Sequence, residues 1–185
     1  MLRLFLFSLF LAVVAACHRP KAINPNGVPS SEGTELETAA RRIWVGKPAP
    51  TFSAALVDGK TVDLPYKGEV TLLSFWFAAC PPCITEIPSL NKLQTDFAPK
   101  GLRLVALTTD AAATLPAFQQ KHNCLYALSG DHKTTASLYR VSAYPTNVLI
   151  DRKGIIRQIW IGGNDWDATQ AYMEISPMLT KLLSE

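Results

Sequence analysis

The chain has 185 residues, 48% of them hydrophobic and 18% charged, which is enough apolar material for one well-packed domain plus extensions. Its 18 basic and 15 acidic side chains leave a formal net charge of +3, with neither sign in a block. A nucleic-acid-binding face, which needs concentrated Lys and Arg, is excluded.

The N-terminus opens with MLR and then runs LFLFSLFLAVVAA without a charge up to Cys17. That run is too short to span a bilayer comfortably and fits the apolar region of an export signal. Val14-Ala15-Ala16 before Cys17 resembles the lipobox of bacterial lipoproteins. The resemblance implies a signal over 1–16 and a lipid on Cys17. An uncleaved anchor, or an ordinary signal with an incidental cysteine, are the alternatives. His18 stands where retention in the inner membrane would want aspartate, which favours the outer membrane. Residues 17–43 mix Pro, Gly, Ser, Asn and charges and read as a tether. The remainder, 44–185, reads as one domain.

Within it, PAPTFSAALVDGKTVDLPYKG predicts a β-hairpin turning at Asp58-Gly59. EVTLLSFWFA predicts a strand buried on both faces. A helix from Pro81 to about Phe97 follows, then the buried strand LRLVALTTD. A helical stretch over 112–121, a short strand over 125–127 and a short helix over 134–139 come next. PTNVLID and IIRQIW form a second hairpin, turning at Arg152-Lys153-Gly154. Asn164 or Asp165 is the expected cap of a last helix, bent or split at Ser176-Pro177. This alternation predicts an α/β domain with a mixed sheet flanked by helices and an N-terminal hairpin.

The chemistry concentrates in FAACPPCITE. Cys80 precedes a helix that starts with Pro81, a residue suited to the first turn. The unpaired amides and dipole at a helix start stabilise a thiolate and lower its pKa. Cys83 lies one turn on, within reach of a disulfide. Cys80 is the expected exposed nucleophile and Cys83 the resolving thiol. Glu86 falls in or along the apolar stripe of Cys83, Ile87, Leu90, Leu93 and Phe97. A desolvated acid there has a raised pKa and can move a thiol's proton; a solvated surface glutamate is the alternative. Outside the cytoplasm disulfides persist, but one close pair is too little to staple a domain of this size. Cys124 is left single, either a buried thiol or, with His122, a second redox or metal position.

FWFAACPPCITEIPSL resembles the active site of thioredoxin-fold, membrane-tethered thiol–disulfide oxidoreductases of the TlpA/ResA type, and SAYPTNVLIDRKGIIRQIWIGG resembles their second signature. The resemblance covers roughly Val45 to Leu183. The resemblance implies a thioredoxin-like fold and a cis bond at Tyr144-Pro145. It places Tyr144, Pro145 and Trp76 on the substrate side and calls for no cofactor. It further implies partner proteins carrying disulfides or dithiols, a membrane electron donor of the DsbD/CcdA type, and apocytochrome c as one substrate class. Ala79 departs from the family, which usually has an aromatic residue before the first cysteine. A copper- or zinc-binding module, or a non-catalytic adaptor, are the competing readings; one CxxC without a second pair supports a closed metal site poorly. Direction, reduction or oxidation, depends on potential.

Overall fold

The computed structural model describes residues 35–185. The expected signal, Cys17 and the first part of the tether lie outside the described residues. The described chain starts with a helix, α1 (Glu35–Trp44). The tether expected to run to residue 43 is therefore helical from Glu35 onward. Glu35 and Glu37 in its first turn and Arg41 and Arg42 in its last suit the helix dipole. The helix is fastened to the domain at its end. The Trp44 ring stacks 6.1 Å from Tyr139, and Arg41 Nε donates to Ile159 O at 3.3 Å. One aromatic anchor and polar bonds leave little apolar periodicity to read.

The first hairpin pairs β1 (Phe52–Ala55) with β2 (Thr61–Leu64). Its turn closes as Leu56 N donates to Lys60 O at 2.8 Å. Gly59 sits there at φ 86°, a conformation that costs a glycine little.

The main sheet runs in the order β5-β4-β3-β6-β7. Strands β3 (Val70–Trp76), β4 (Leu102–Thr108) and β5 (Ala127–Ser129) are parallel. Strands β6 (Thr146–Ile150) and β7 (Ile156–Ile161) return antiparallel. Every residue of β3 is buried, as a central strand covered on both faces requires. Strand alternation divides the core into two layers. Leu72, Trp76, Leu104 and Leu149 face α2 (Pro81–Phe97) and α5 (Gln170–Ser184). Leu73, Phe75, Val105 and Ile150 face the hairpin and α4 (Lys133–Leu138), where Ala136 and Tyr139 pack. A short helix, α3 (Leu115–His122), closes the edge of the first layer through Leu115 and Phe118.

Three elements differ from expectation. β5 begins two residues late, at Ala127. The Asn91 side chain donates to Asn123 O and accepts from Leu125 N, both at 2.8 Å, and holds that stretch out of the sheet. α5 begins at Gln170, because Asn164 Oδ1 accepts from the amides of Trp166 and Asp167 in a turn of its own. α5 is not split at Pro177, which sits inside one continuous helix. Its last turn is held by Arg152, whose Nη1 donates to Leu182 O at 2.8 Å.

Candidate active site

β3 delivers the chain to the site and α2 carries it away. Between them Ala78 N donates to Asp110 Oδ2 at 2.6 Å, and Thr108 Oγ1 donates to the same oxygen at 2.8 Å. The loop before Cys80 is thus pinned to the end of β4. Cys80 caps α2, and its sulfur accepts from Cys83 N at 3.3 Å. Pro81 and Pro82 occupy the first turn, where no amide is needed. Cys80 and Cys83 form a disulfide, with Cα atoms 5.3 Å apart.

Neither sulfur is open to solvent in this state. Cys80 is 3% and Cys83 4% exposed, which corrects the expectation of an exposed Cys80. Ring closure tucks the Cys80 sulfur against the amides of the helix start. The small Ala79 is itself exposed and does not uncover it.

Glu86 lies within the apolar stripe and is 8% exposed. Asn147 Nδ2 donates to its Oε1 at 2.6 Å. Loss of hydration is the main influence on this carboxyl, the Asn147 bond opposes it and Glu174 repels it; the result is a pKa raised to about 7. Glu86, Asn147 and Pro82 line one small cavity of about 20 Å³, room for a single water. Its wall continues through Gly162, Gly163, Asn164 and Glu174.

Asn147 is the site residue that sequence reasoning missed. Its strand alternation was the available signal, since it shares a face with Leu149, toward α2. Its cross-strand partner is Ser74. Asn147 Oδ1 and Ser74 Oγ are both buried without a hydrogen-bond partner.

The Tyr144–Pro145 bond is cis. Pro145 is buried, and Tyr144, half-buried, meets Phe77 edge-on at 5.3 Å. Among the described residues the Tyr144 amide and carbonyl have no backbone partner. Gly163 brings the β7 end against both halves of the site; a Cβ there would lie 3.3 Å from Pro145 Cγ and 3.5 Å from Pro82 Cβ. Trp76 is not on the substrate side. It is 6% exposed and packs on Phe118 at 4.5 Å, because its parity on β3 matches that of Val70 and Leu72. It supports the site from beneath. Cys124 is a buried free thiol, and burial raises its pKa. Among the described residues no group of three His, Cys, Asp or Glu could hold a metal ion, and no helix is long and apolar enough to cross a membrane.

The sequence pattern of the AhpC/TSA family matches residues 45–159. The chain belongs to this family. The thioredoxin-like protein YneN of Bacillus subtilis is 34% identical over 125 residues, covering 65% of this chain and 73% of that one. The thiol-disulfide oxidoreductase ResA of Bacillus cereus is 29% identical over 136 residues, covering 72% and 79%. Among solved structures, the thioredoxin domain of a thiol-disulfide oxidoreductase from Bacteroides vulgatus is similar with a TM-score of 0.63 and 25% identity, over 73% of this chain and 97% of that chain. StoA from Bacillus subtilis gives 0.58 and 25%, over 69% and 97%. The fold is thioredoxin-like, and this member of the AhpC/TSA family is a thiol–disulfide oxidoreductase.

Proposed function

We propose that this oxidoreductase works outside the cytoplasm, tethered to a bacterial membrane by lipid on Cys17, and reduces disulfides in partner proteins. The observation that carries the reading is the Cys80–Cys83 pair at the start of α2, with the buried Glu86 one turn further along. In the reduced form, the Cys80 thiolate attacks a partner disulfide and expels one partner sulfur as a thiolate. A mixed disulfide results. Cys83 gives its proton to Glu86 and attacks Cys80, which releases the second partner sulfur. The partner gains two electrons, Glu86 passes the Cys83 proton to one of the two released thiolates, solvent protonates the other, and the Cys80–Cys83 bridge reforms. Repeated turnover needs an electron donor; resemblance to the TlpA/ResA type suggests a membrane thiol transporter of the DsbD/CcdA kind and apocytochrome c among the partners. The free Tyr144 backbone supports docking of an extended partner segment beside Pro145.

Trapping tests this. Cys83→Ala should hold partners as mixed disulfides through Cys80, recovered from the membrane fraction and released by dithiothreitol. A Cys83→Ala chain that captures nothing, with Cys80→Ser and wild type equally slow in disulfide reduction, would exclude the reading. Cys17→Ser should move the chain out of the membrane fraction.

A further inference from the structure

Trp166 is 84% exposed, the most open large hydrophobic side chain among the described residues. It stands on the loop between β7 and α5, and that loop is fastened to the helix bearing the disulfide. Thr85 Oγ1 donates to Asp165 O at 3.4 Å, and Ser89 Oγ donates to Ala168 O at 2.6 Å. On the near side Gly163 abuts Pro82 and Pro145. Trp166 N donates to Asn164 Oδ1 at 3.1 Å, so the backbone that carries the indole is held in a defined turn. The loop that carries this bare indole is thus fastened to the helix bearing the disulfide and, three residues earlier, abuts Pro82 and Pro145.

The surroundings of that indole are acidic. Asp165 and Asp167 flank it in sequence, and both are exposed. The Asp167 carboxylate accepts from Thr169 N and Oγ1, and these bonds keep it ionised. Glu174 on the first turns of α5 lines the same cavity wall as Asn164 and Asp167. Among the described residues none of Asp165, Asp167 and Glu174 is paired with a basic side chain. An exposed indole with a carboxylate on the residue to either side fits a long cationic side chain, whose aliphatic stem can cover the ring while its charge meets a carboxylate.

We propose that Trp166, with Asp165 and Asp167, docks a lysine or arginine that neighbours the target disulfide, so that basic partner segments are reduced in preference to acidic ones. This rests on the proposed thiol–disulfide exchange and adds a rule for choosing partners. Exposed charge of this kind acts chiefly on encounter and register, and salt weakens it.

The test uses the full chain, reduced and freed of reductant, in single turnover. The substrates are short peptides closed by one disulfide, identical except for Lys, Leu or Glu on either side of one cysteine. In each turnover two electrons pass from the reduced Cys80/Cys83 pair to the peptide, whose two released sulfurs are protonated by the Cys83 proton and by solvent, and the peptide dithiol is measured by chromatography. At low salt the Lys peptide should react about five- to tenfold faster than the Glu peptide, the scale of one exposed cation–π contact plus local charge. Trp166→Ala and Asp165→Asn should each shrink that ratio, and the ratio cancels any general loss of activity in a variant. High salt should shrink it as well. A Leu peptide that matches or outpaces the Lys peptide, or a ratio that Trp166→Ala leaves intact, overturns the proposal. Bis(2-hydroxyethyl) disulfide, small and neutral, separates the two failures. If it is reduced while the peptides show no charge preference, only the docking rule falls. If neither it nor any peptide is reduced, the oxidoreductase reading falls with it.

Discussion

Asn147 Nδ2 donates to Glu86 Oε1 at 2.6 Å across the boundary between β6 and α2, and both side chains are buried. This bond sets how much of the carboxyl's hydration is replaced. Burial outweighs it, so the Glu86 pKa stands at about 7 against an ordinary 4.5. Below pH 4.5 the group is protonated whether the chain is folded or not, and it imposes no penalty. Between 4.5 and 7 the unfolded chain releases its proton while the folded one keeps it, so stability falls as pH rises; above 7 the loss is complete. The whole loss is on the order of 3 kcal/mol. Glu86→Gln keeps an acceptor for Asn147 and removes the titration. Thermal melts of the two chains should coincide at pH 4, and the variant should be the more stable by that amount at pH 8. Its exchange rate should lose the inflection near pH 7 that wild type shows. A wild-type profile without that inflection would remove Glu86 from proton transfer.

Asn147→Ala should move the same inflection upward. The amide favours the charged carboxylate, and without it desolvation and Glu174 act unopposed. Removing one partner of a buried hydrogen bond should also cost about 1–3 kcal/mol in urea unfolding. The displaced inflection, read from the pH dependence of exchange, is the informative result, because general loosening of the fold would lower the rate at every pH.

The loop before Cys80 is held from β4 by Asp110. Asp110→Ala frees Ala78 N and should slow exchange. For a partly exposed bond the stability cost should be about 1 kcal/mol, and Asp110→Asn, which keeps an acceptor, should be milder. Gly130→Ala should be worse. Its Cβ would fall 2.6 Å from the Ala112 backbone and 2.9 Å from Asp110 O. Backbone cannot step aside as a side chain does, so at least about 2 kcal/mol should be lost in chemical denaturation.

Those parts of the fold that carry a strong local period were legible in the sequence. The all-buried run of β3, the stripe of α2 and the Asp58-Gly59 turn need little beyond their own residues to form. The pairing of Cys80 with Cys83 followed from helical spacing, which left Glu86 open between a desolvated acid and a solvated one. Residues whose role depends on facing were harder to place. Asn147 sits in the apolar strand TNVLI and becomes a partner of Glu86 only once β6 lies beside β3 and α2 lies across both. Trp76, next to the motif in sequence, points into the core by strand parity, whereas the loop of Trp166, far along the chain, is fastened to α2 by bonds that no sequence pattern announces. The late start of α5 had the same origin. Asn164, Asp167 and Thr169 can all cap a helix; Asn164 spends its side chain on a turn of its own, and Ser89 Oγ, donating to Ala168 O and accepting from Tyr172 N, holds the first turn that follows.

Cys124 separates a structural thiol from a redox one. Its side chain is buried, loss of hydration raises its pKa, and a bond with Tyr126 opposes the rise only in part. A thiol that is both hard to reach and slow to ionise should be inert to thiol reagents in the folded chain. Titration with a chromogenic disulfide should give equal counts for native wild type and native Cys124→Ala. After unfolding, wild type should show one thiol more. Cys124→Ala should cost about 1 kcal/mol for the lost packing and leave exchange through Cys80 and Cys83 at the wild-type rate. Cys124 packs in the same core layer as Cys80 and Cys83, so a folded Cys124→Ala chain that exchanges tenfold more slowly, while as stable as this small packing loss allows, would overturn the separation of a structural thiol from a redox pair.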